Sequence, residues 1–138
     1  MPLIITLKAG EKFILNRAVL SLSKSASIII ENKASFLREK HIMRLEDVDT
    51  PAKKIYYLCQ LAYIWEDQFD KYYTDVKAAC LEFVKAAPST TALISNIGSA
   101  LAQQDFFKLL KLARRLIDVE RKLLDAGQKS IPDSAERS

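Results

Sequence analysis

Through the first third of the chain apolar residues alternate with polar ones, and from Thr50 onward they recur every three or four positions. The first period is that of a half-buried strand and the second that of an amphipathic helix. In residues 3–8, Leu3, Ile5 and Leu7 fall on one face of a predicted strand, with Ile4, Thr6 and Lys8 on the other. Ala9-Gly10 is a turn signal, because glycine takes positive φ at no steric cost. Residues 11–15 make a second strand, and Asn16-Arg17 reverses the chain. In residues 18–23, Leu20 and Leu22 alternate with Ser21 and Ser23 as a third, half-buried strand. After a turn at Lys24-Ser25, Ile28-Ile29-Ile30 is a short apolar run read as strand. Residues 36–42 fit either a last strand or one helical turn. Strands this short, joined by tight turns, predict an antiparallel meander or a small barrel.

Thr50-Pro51 marks the boundary. Thr50 suits an N-cap, and Pro51 suits the first helical position, where its missing N–H costs nothing. Beyond it Ile55, Leu58, Ala62, Trp65, Phe69, Tyr72, Val76, Ala79 and Phe83 form an unbroken seam. That seam predicts one long helix over about residues 51–87. Leu61, Ile64 and Tyr73 widen its apolar face, so it should pack against more than one neighbour. Pro88 stops it. A second helix over about residues 89–102 carries Leu93, Ile97 and Leu101. A third, over about 103–126, turns Phe106, Leu109, Leu110, Ala113, Leu116, Ile117, Leu123 and Leu124 inward, with Gly127 placed just past its end. The polar tail, 128–138, is expected to be disordered. The fold class is therefore α+β: a small antiparallel sheet or barrel over 1–49, then an antiparallel helical bundle with one long helix over 50–127.

Charge divides at nearly the same place. Residues 1–44 carry eight Lys/Arg against three acids (+5), and residues 45–138 carry thirteen against fourteen (−1), which together make the net +4. Charge gathered on one module bears on what that module touches, and its natural partner is a polyanion. A strand module of about fifty residues buries too little apolar surface to be stable alone, so it should lean on the helices, on a second copy, or on both. No apolar run approaches the ~20 residues that span a bilayer. No basic segment followed by a long apolar one marks a secretory signal. Cys59 and Cys80, on a single helix, would lie roughly 30 Å apart and could not bridge. Two reduced, packed thiols point to a cytoplasmic protein.

Catalytic chemistry finds little material. His41 alone builds no multi-histidine metal site, and the two cysteines are not at CxxC spacing, so no metal is expected. No GxSxG, HExxH or phosphate-loop pattern occurs, and no cofactor is implied. Glu66, Asp67 and Asp70 read as a solvated helix face beside Lys71. The chain reads as a non-enzyme. Lys108, Lys111, Arg115 and Lys122 share one helix face, interrupted by Asp118, which a charge-laced outer surface explains as well as RNA does. In the strand module Lys8, Lys12 and Arg38 fall at strand ends or turns where they can converge. Tyr56, Tyr57, Trp65, Phe69, Tyr72 and Tyr73 have helical spacing, which favours core packing over base stacking.

Three segments carry a resemblance. Residues 7–16 (LKAGEKFILN), 32–43 (NKASFLREKHIM) and 50–57 (TPAKKIYY) resemble the FlbT family of flagellum biosynthesis regulators. The likeness extends over residues 1 to about 125. Ala9 stands at a position often proline in that family, which should only loosen the turn. The resemblance implies a cytoplasmic post-transcriptional regulator acting on the 5′ untranslated region of flagellin mRNA. Repression and message decay are the implied outcome, with FlaF as the associated partner. Residues 4–11 and 37–42 also look like the first strand and the arginine-bearing last segment of CsrA-type RNA-binding proteins, which are intertwined β dimers. That likeness carries Lys8 and Arg38 onto basic positions of the RNA surface and Ile5 onto an apolar one. Leu7 departs, since the CsrA pattern has arginine there. The expected RNA-binding residues are thus Lys8 and Arg38, with Lys12, Lys33 and Lys40 adding charge. The rival expectation is a protein-interaction role through the wide apolar face of the long helix (Ile55, Leu58, Trp65, Phe69, Tyr72), gripping FlaF, flagellin or a second copy in a homodimer.

Overall fold

The computed structural model describes the chain from Leu3 to Ser130, with side chains described as far as Gly127. Five short strands come first: β1 (Leu3–Leu7), β2 (Lys12–Leu15), β3 (Ala18–Ser21), β4 (Ala26–Ile30) and β5 (Phe36–Arg38). Single 3-10 turns at Glu39–His41 and Leu45–Asp47 lead into four helices: α1 (Pro51–Ile64), α2 (Phe69–Ala86), α3 (Thr91–Ala102) and α4 (Phe106–Ser130). The α+β class and the order of its halves are as the periodicity predicts.

The strands are antiparallel throughout but do not form a meander. β1 pairs with β4, with Ile5 opposite Ile28, while β2 pairs with β3 on one side and β5 on the other. In sequence the β2–β3 hairpin is thus inserted between the two strands of a separate ribbon. Its turn is Asn16-Arg17, both at positive φ (49° and 74°). That geometry matches the right-handed twist of the flanking strands. Gly10, at φ 79°, makes the turn after β1. The two small sheets close on Ile5, Leu7 and Phe13, with Leu15, Leu22, Ile28, Ile30 and Phe36 packed around them. β3 departs from its expected half-burial: all four residues are exposed, because it is the outer edge of its sheet. The ambiguous segment 36–42 is both things in succession, a three-residue strand and then one 3-10 turn.

The expected single helix over 51–87 is two helices. Trp65 leaves helical geometry (φ −107°, ψ 67°), a 3-10 turn follows over Glu66–Gln68, and α2 folds back to share the core with α1. The break has a tertiary cause. Arg17, on the β2–β3 turn, donates to the last carbonyl of α1, Ile64 O (3.3 Å), pairs with Asp67, and lays its guanidinium 4.3 Å above the Trp65 ring. The fold-back also overturns the separation expected for the cysteines. Cys59 and Cys80 share one buried core, close enough for Cys80 to raise the pKa of the Cys59 thiol. At the next boundary, Gln104 takes φ 55° to end α3, and Asp105 accepts the Lys108 N–H (3.3 Å) as N-cap of α4. On α4 the expected inward residues Phe106, Leu109, Leu110, Ala113 and Leu116 are buried, but Leu123 and Leu124 are exposed at 42% and 52%. The helix also runs through Gly127 to Ser130 rather than ending there. Of the tail expected to be disordered, 128–130 is helical backbone, and 131–138 lies outside the described residues.

Side-chain bridges lock the two halves together. Tyr63 on α1 accepts the Phe36 N–H (2.7 Å) and reaches back to the Phe36 carbonyl (3.3 Å). Buried Gln60 does the same for Met43, with both bonds at 2.8 Å. Each bridge satisfies backbone groups that would otherwise be dry and unpaired. The strand module is therefore held by the helices at its β5 side.

Candidate nucleic-acid interface

Lys8 lies just past β1, Arg38 ends β5, and Lys40 sits in the turn that follows. The fold brings these three to one open hollow of about 840 Å³, with Thr6, Gly10, Glu11 and Glu39 around its wall. Arg38 is held in place from two sides. It donates to Thr6 O (2.7 Å), bridging the two sheets, and to Glu11 (3.3 Å). Glu11 also accepts the Lys8 N–H at 3.1 Å. That backbone bond, followed by the charges of Arg38 and Lys8, holds the Glu11 carboxyl below the usual carboxylate range. Glu39 accepts the Lys12 N–H at 2.9 Å, so Lys12 borders the same edge from β2. Among the described residues the ammonium groups of Lys8, Lys12 and Lys40 make no ion pair. Lys33 stands apart: it is paired with Glu66 at 3.5 Å and lines a different hollow, beside Asn16 and Arg17. Four of the five expected cations therefore gather on one edge, and two carboxylates gather with them.

The apolar residues expected to dock a protein are occupied internally. Ile55 is fully buried, and Leu58, Phe69 and Tyr72 pack half-buried against the same core. Phe69 lies 5.7 Å from Tyr73 and edge-on to Phe106 at 6.1 Å. Trp65 is covered by Arg17. Because the helix doubles back, the seam that read as one continuous apolar face becomes part of the core that α1 and α2 share. Among the described helical residues, the large apolar side chains that stand exposed are others, Leu81, Phe107, Leu123 and Leu124.

Two residues next to the strand module, His41 and Arg114, were not among the expected binding residues. His41 keeps its ring beside Arg114 of α4, and burial, followed by the charges of Arg114, Lys40 and Arg38, lowers its pKa below 6.5. Arg114 differs from Lys108, Lys111, Arg115 and Lys122 on the same helix in being half-buried, with its guanidinium 3.5 Å from the Tyr56 hydroxyl. Only the packing of α4 against the turn after β5 separates it from its neighbours. Burial pushes the Cys80 thiol up to about 11, and burial with the nearby Cys80 raises that of Cys59 further. Neither thiol is a nucleophile at neutral pH. Among the described residues there is no cluster of three potential metal ligands. No described helix is long and apolar enough to cross a membrane.

Comparison with known proteins supplies the kinship. The family model described as flagellar protein FlbT matches residues 3–124. The probable flagellum biosynthesis repressor protein FlbT of Caulobacter sp. strain K31 is 35% identical over 123 residues, covering 87% of this chain and 94% of its own. The flagellum biosynthesis repressor protein FlbT of Caulobacter vibrioides is 36% identical, covering 87% of each chain. A probable FlbT repressor of Rhodopseudomonas palustris strain TIE-1 is 31% identical, covering 90% of this chain and 98% of its own. No solved structure matches. With the family model spanning the strand module and all but the last turns of α4, the chain belongs to the FlbT family of flagellar proteins.

Proposed function

We propose that the protein regulates flagellin expression after transcription, binding the 5′ untranslated region of flagellin mRNA to repress translation and promote decay without catalysing cleavage itself. The relatives' name, flagellum biosynthesis repressor, supports a role in regulating flagellum biosynthesis. The observation that carries the RNA reading is the gathering of Lys8, Lys12, Arg38 and Lys40 at one end of the strand module. Cations on a strand edge attract phosphates, and a single-stranded loop can splay its bases against the same surface. Decay then falls to a recruited nuclease. A gel shift titrated with salt, using flagellin leader RNA against an unrelated RNA of equal length, tests this. Tight, salt-sensitive and leader-selective retention is expected, and equal retention of both RNAs would defeat selectivity.

A second reading is supported by a separate surface. The first turn of α1 and the last turns of α2 and α4 surround an apolar hollow of about 1180 Å³ bearing Pro51, Ala79, Phe83, Leu123 and Leu124. That is where a protein such as FlaF or flagellin would dock. Ile4, Val19 and Ile29, exposed at 67%, 66% and 58% on small sheets with open edges, favour a second copy of this chain. Sizing the protein alone and with each candidate separates these partners from RNA.

A further inference from the structure

A second cationic surface adjoins the strand edge. Between the strand module and α4 runs a cleft of about 420 Å³ whose walls include Lys33, Arg38, His41 and Arg114 and no carboxylate residue. By contrast, Glu11 and Glu39 stand among the three cations of the strand-edge hollow. The cleft continues past His41 and Arg114 into a second hollow of about 280 Å³, which adds Lys40, and Asp118 as its one acid. Asp118 is itself engaged by Arg121 at 2.9 Å. Of the cations, Lys33 and Arg38 reach acids outside the cleft, Glu66 at 3.5 Å and Glu11 at 3.3 Å. Arg114 has no carboxylate within ion-pair distance among the described residues, and its neutral contact is the Tyr56 hydroxyl. A half-buried guanidinium without an anion is an expensive arrangement unless something negative visits it.

The cleft also has a flat apolar side. Phe107 is 82% exposed although its neighbour Phe106 is buried. Phe107, Leu110 and Arg114 stand at i, i+3 and i+7 on one face of α4, a row about 10 Å long. An open aromatic ring and, two turns along the same face, a guanidinium with no ion-pair partner match the base and the phosphate of an unpaired nucleotide. Proteins that take single strands combine these two elements, a ring for stacking and cations along the backbone.

We infer that the cleft between the strand module and α4 is a nucleotide-binding site for single-stranded RNA, with Phe107 stacking on a base and Arg114, flanked by Lys40 and His41, holding the adjoining phosphate. This rests on the RNA-binding reading and extends the bound strand from the Lys8 edge, through Arg38 and Lys40, which border both hollows. The test is fluorescence anisotropy of a labelled flagellin leader fragment on the full chain and its variants. Phe107→Ala should weaken binding about tenfold, and Phe107→Trp, which keeps a stacking face, should restore it while Phe107→Leu does not. Arg114→Gln should weaken binding about fivefold and lower the slope of log K against log salt by about 0.7, whereas Arg114→Lys keeps the slope. Phe107 is exposed, so its variants should fold, and circular dichroism checks this. If Phe107→Ala and Arg114→Gln bind like wild type while Lys8→Ala does not, the cleft is refuted and the strand edge stands. A wild-type chain that binds no RNA overturns both. A polyglutamate peptide that occupies the cleft more tightly than the RNA fragment overturns the nucleotide assignment.

Discussion

Glu120→Ala should remove about 2 kcal/mol of stability, although Glu120 lies on the last helix and acts on the start of the first. The reason is an inventory of donors at the N-terminus of α1. Pro51 has no N–H, Lys53 donates to the Thr50 hydroxyl at 3.3 Å, and Lys54 donates to the Thr50 carbonyl at 3.0 Å. That leaves the Ala52 N–H, on a fully buried residue, and Glu120 Oε2 accepts it at 3.0 Å across sixty-eight residues. A hydrogen bond to a charged acceptor contributes about 1.5–3 kcal/mol, and a carboxylate at a helix N-terminus adds about 0.3–1. Releasing the carboxylate from its own buried position, 7% exposed, offsets part of that sum. The net of about 2 kcal/mol corresponds to about 1 M urea at a typical m of about 2 kcal/mol/M, or about 7 °C in Tm for a chain of this size. Glu120→Gln keeps an acceptor and loses the charge, so it should cost about 1 kcal/mol. Urea unfolding followed by circular dichroism reads both. Equal losses in the two variants would mean that the effect is packing and not capping, and the argument would fail.

Other expectations follow from the same geometry. Replacing Lys8 and Arg38 together by alanine should lower the salt slope of leader-RNA binding by about 1.4, at about 0.7 per phosphate contact, with helicity unchanged; an unaltered slope refutes their role. Because the folded pKa of His41 is depressed, the unfolded chain takes up the proton first as pH falls below about 6.5. The stability it confers is full above that pH and is lost as pH drops toward the folded value. His41→Gln should therefore lose less stability than wild type between about pH 7.5 and 5.5 in urea melts, and an identical loss would contradict this. Cys59 and Cys80, buried with raised thiol pKa values, should react with a disulfide reagent only after unfolding at pH ~8. Rapid labelling of the native protein would show that the α1–α2 core opens.

Period and local turn chemistry already wrote much of this molecule into its sequence. The two-residue period of the first strands, the positive-φ turns at Gly10 and Asn16-Arg17, and the Thr50-Pro51 helix start each depend on residues within a few positions of one another. Local physics therefore predicts them. The +5 charge of the first forty-four residues is equally plain, since it is a count. What tertiary structure decided were the long-range choices. No proline or glycine interrupts residues 55–83, and the apolar seam keeps its phase across Trp65, so nothing local breaks that helix. Arg17, forty-seven residues upstream of Ile64, stabilises the end of α1, and α2 turns back so that the one apolar seam closes on itself. The pairing of β1 with β4 instead of its neighbour β2 was likewise a choice between edges of equal local merit. Charge behaved the same way. A lysine or arginine is visible in the sequence, but whether it meets a carboxylate, as Arg38 meets Glu11, or stands without one, as Arg114 does, depends on elements that meet only once the chain has folded.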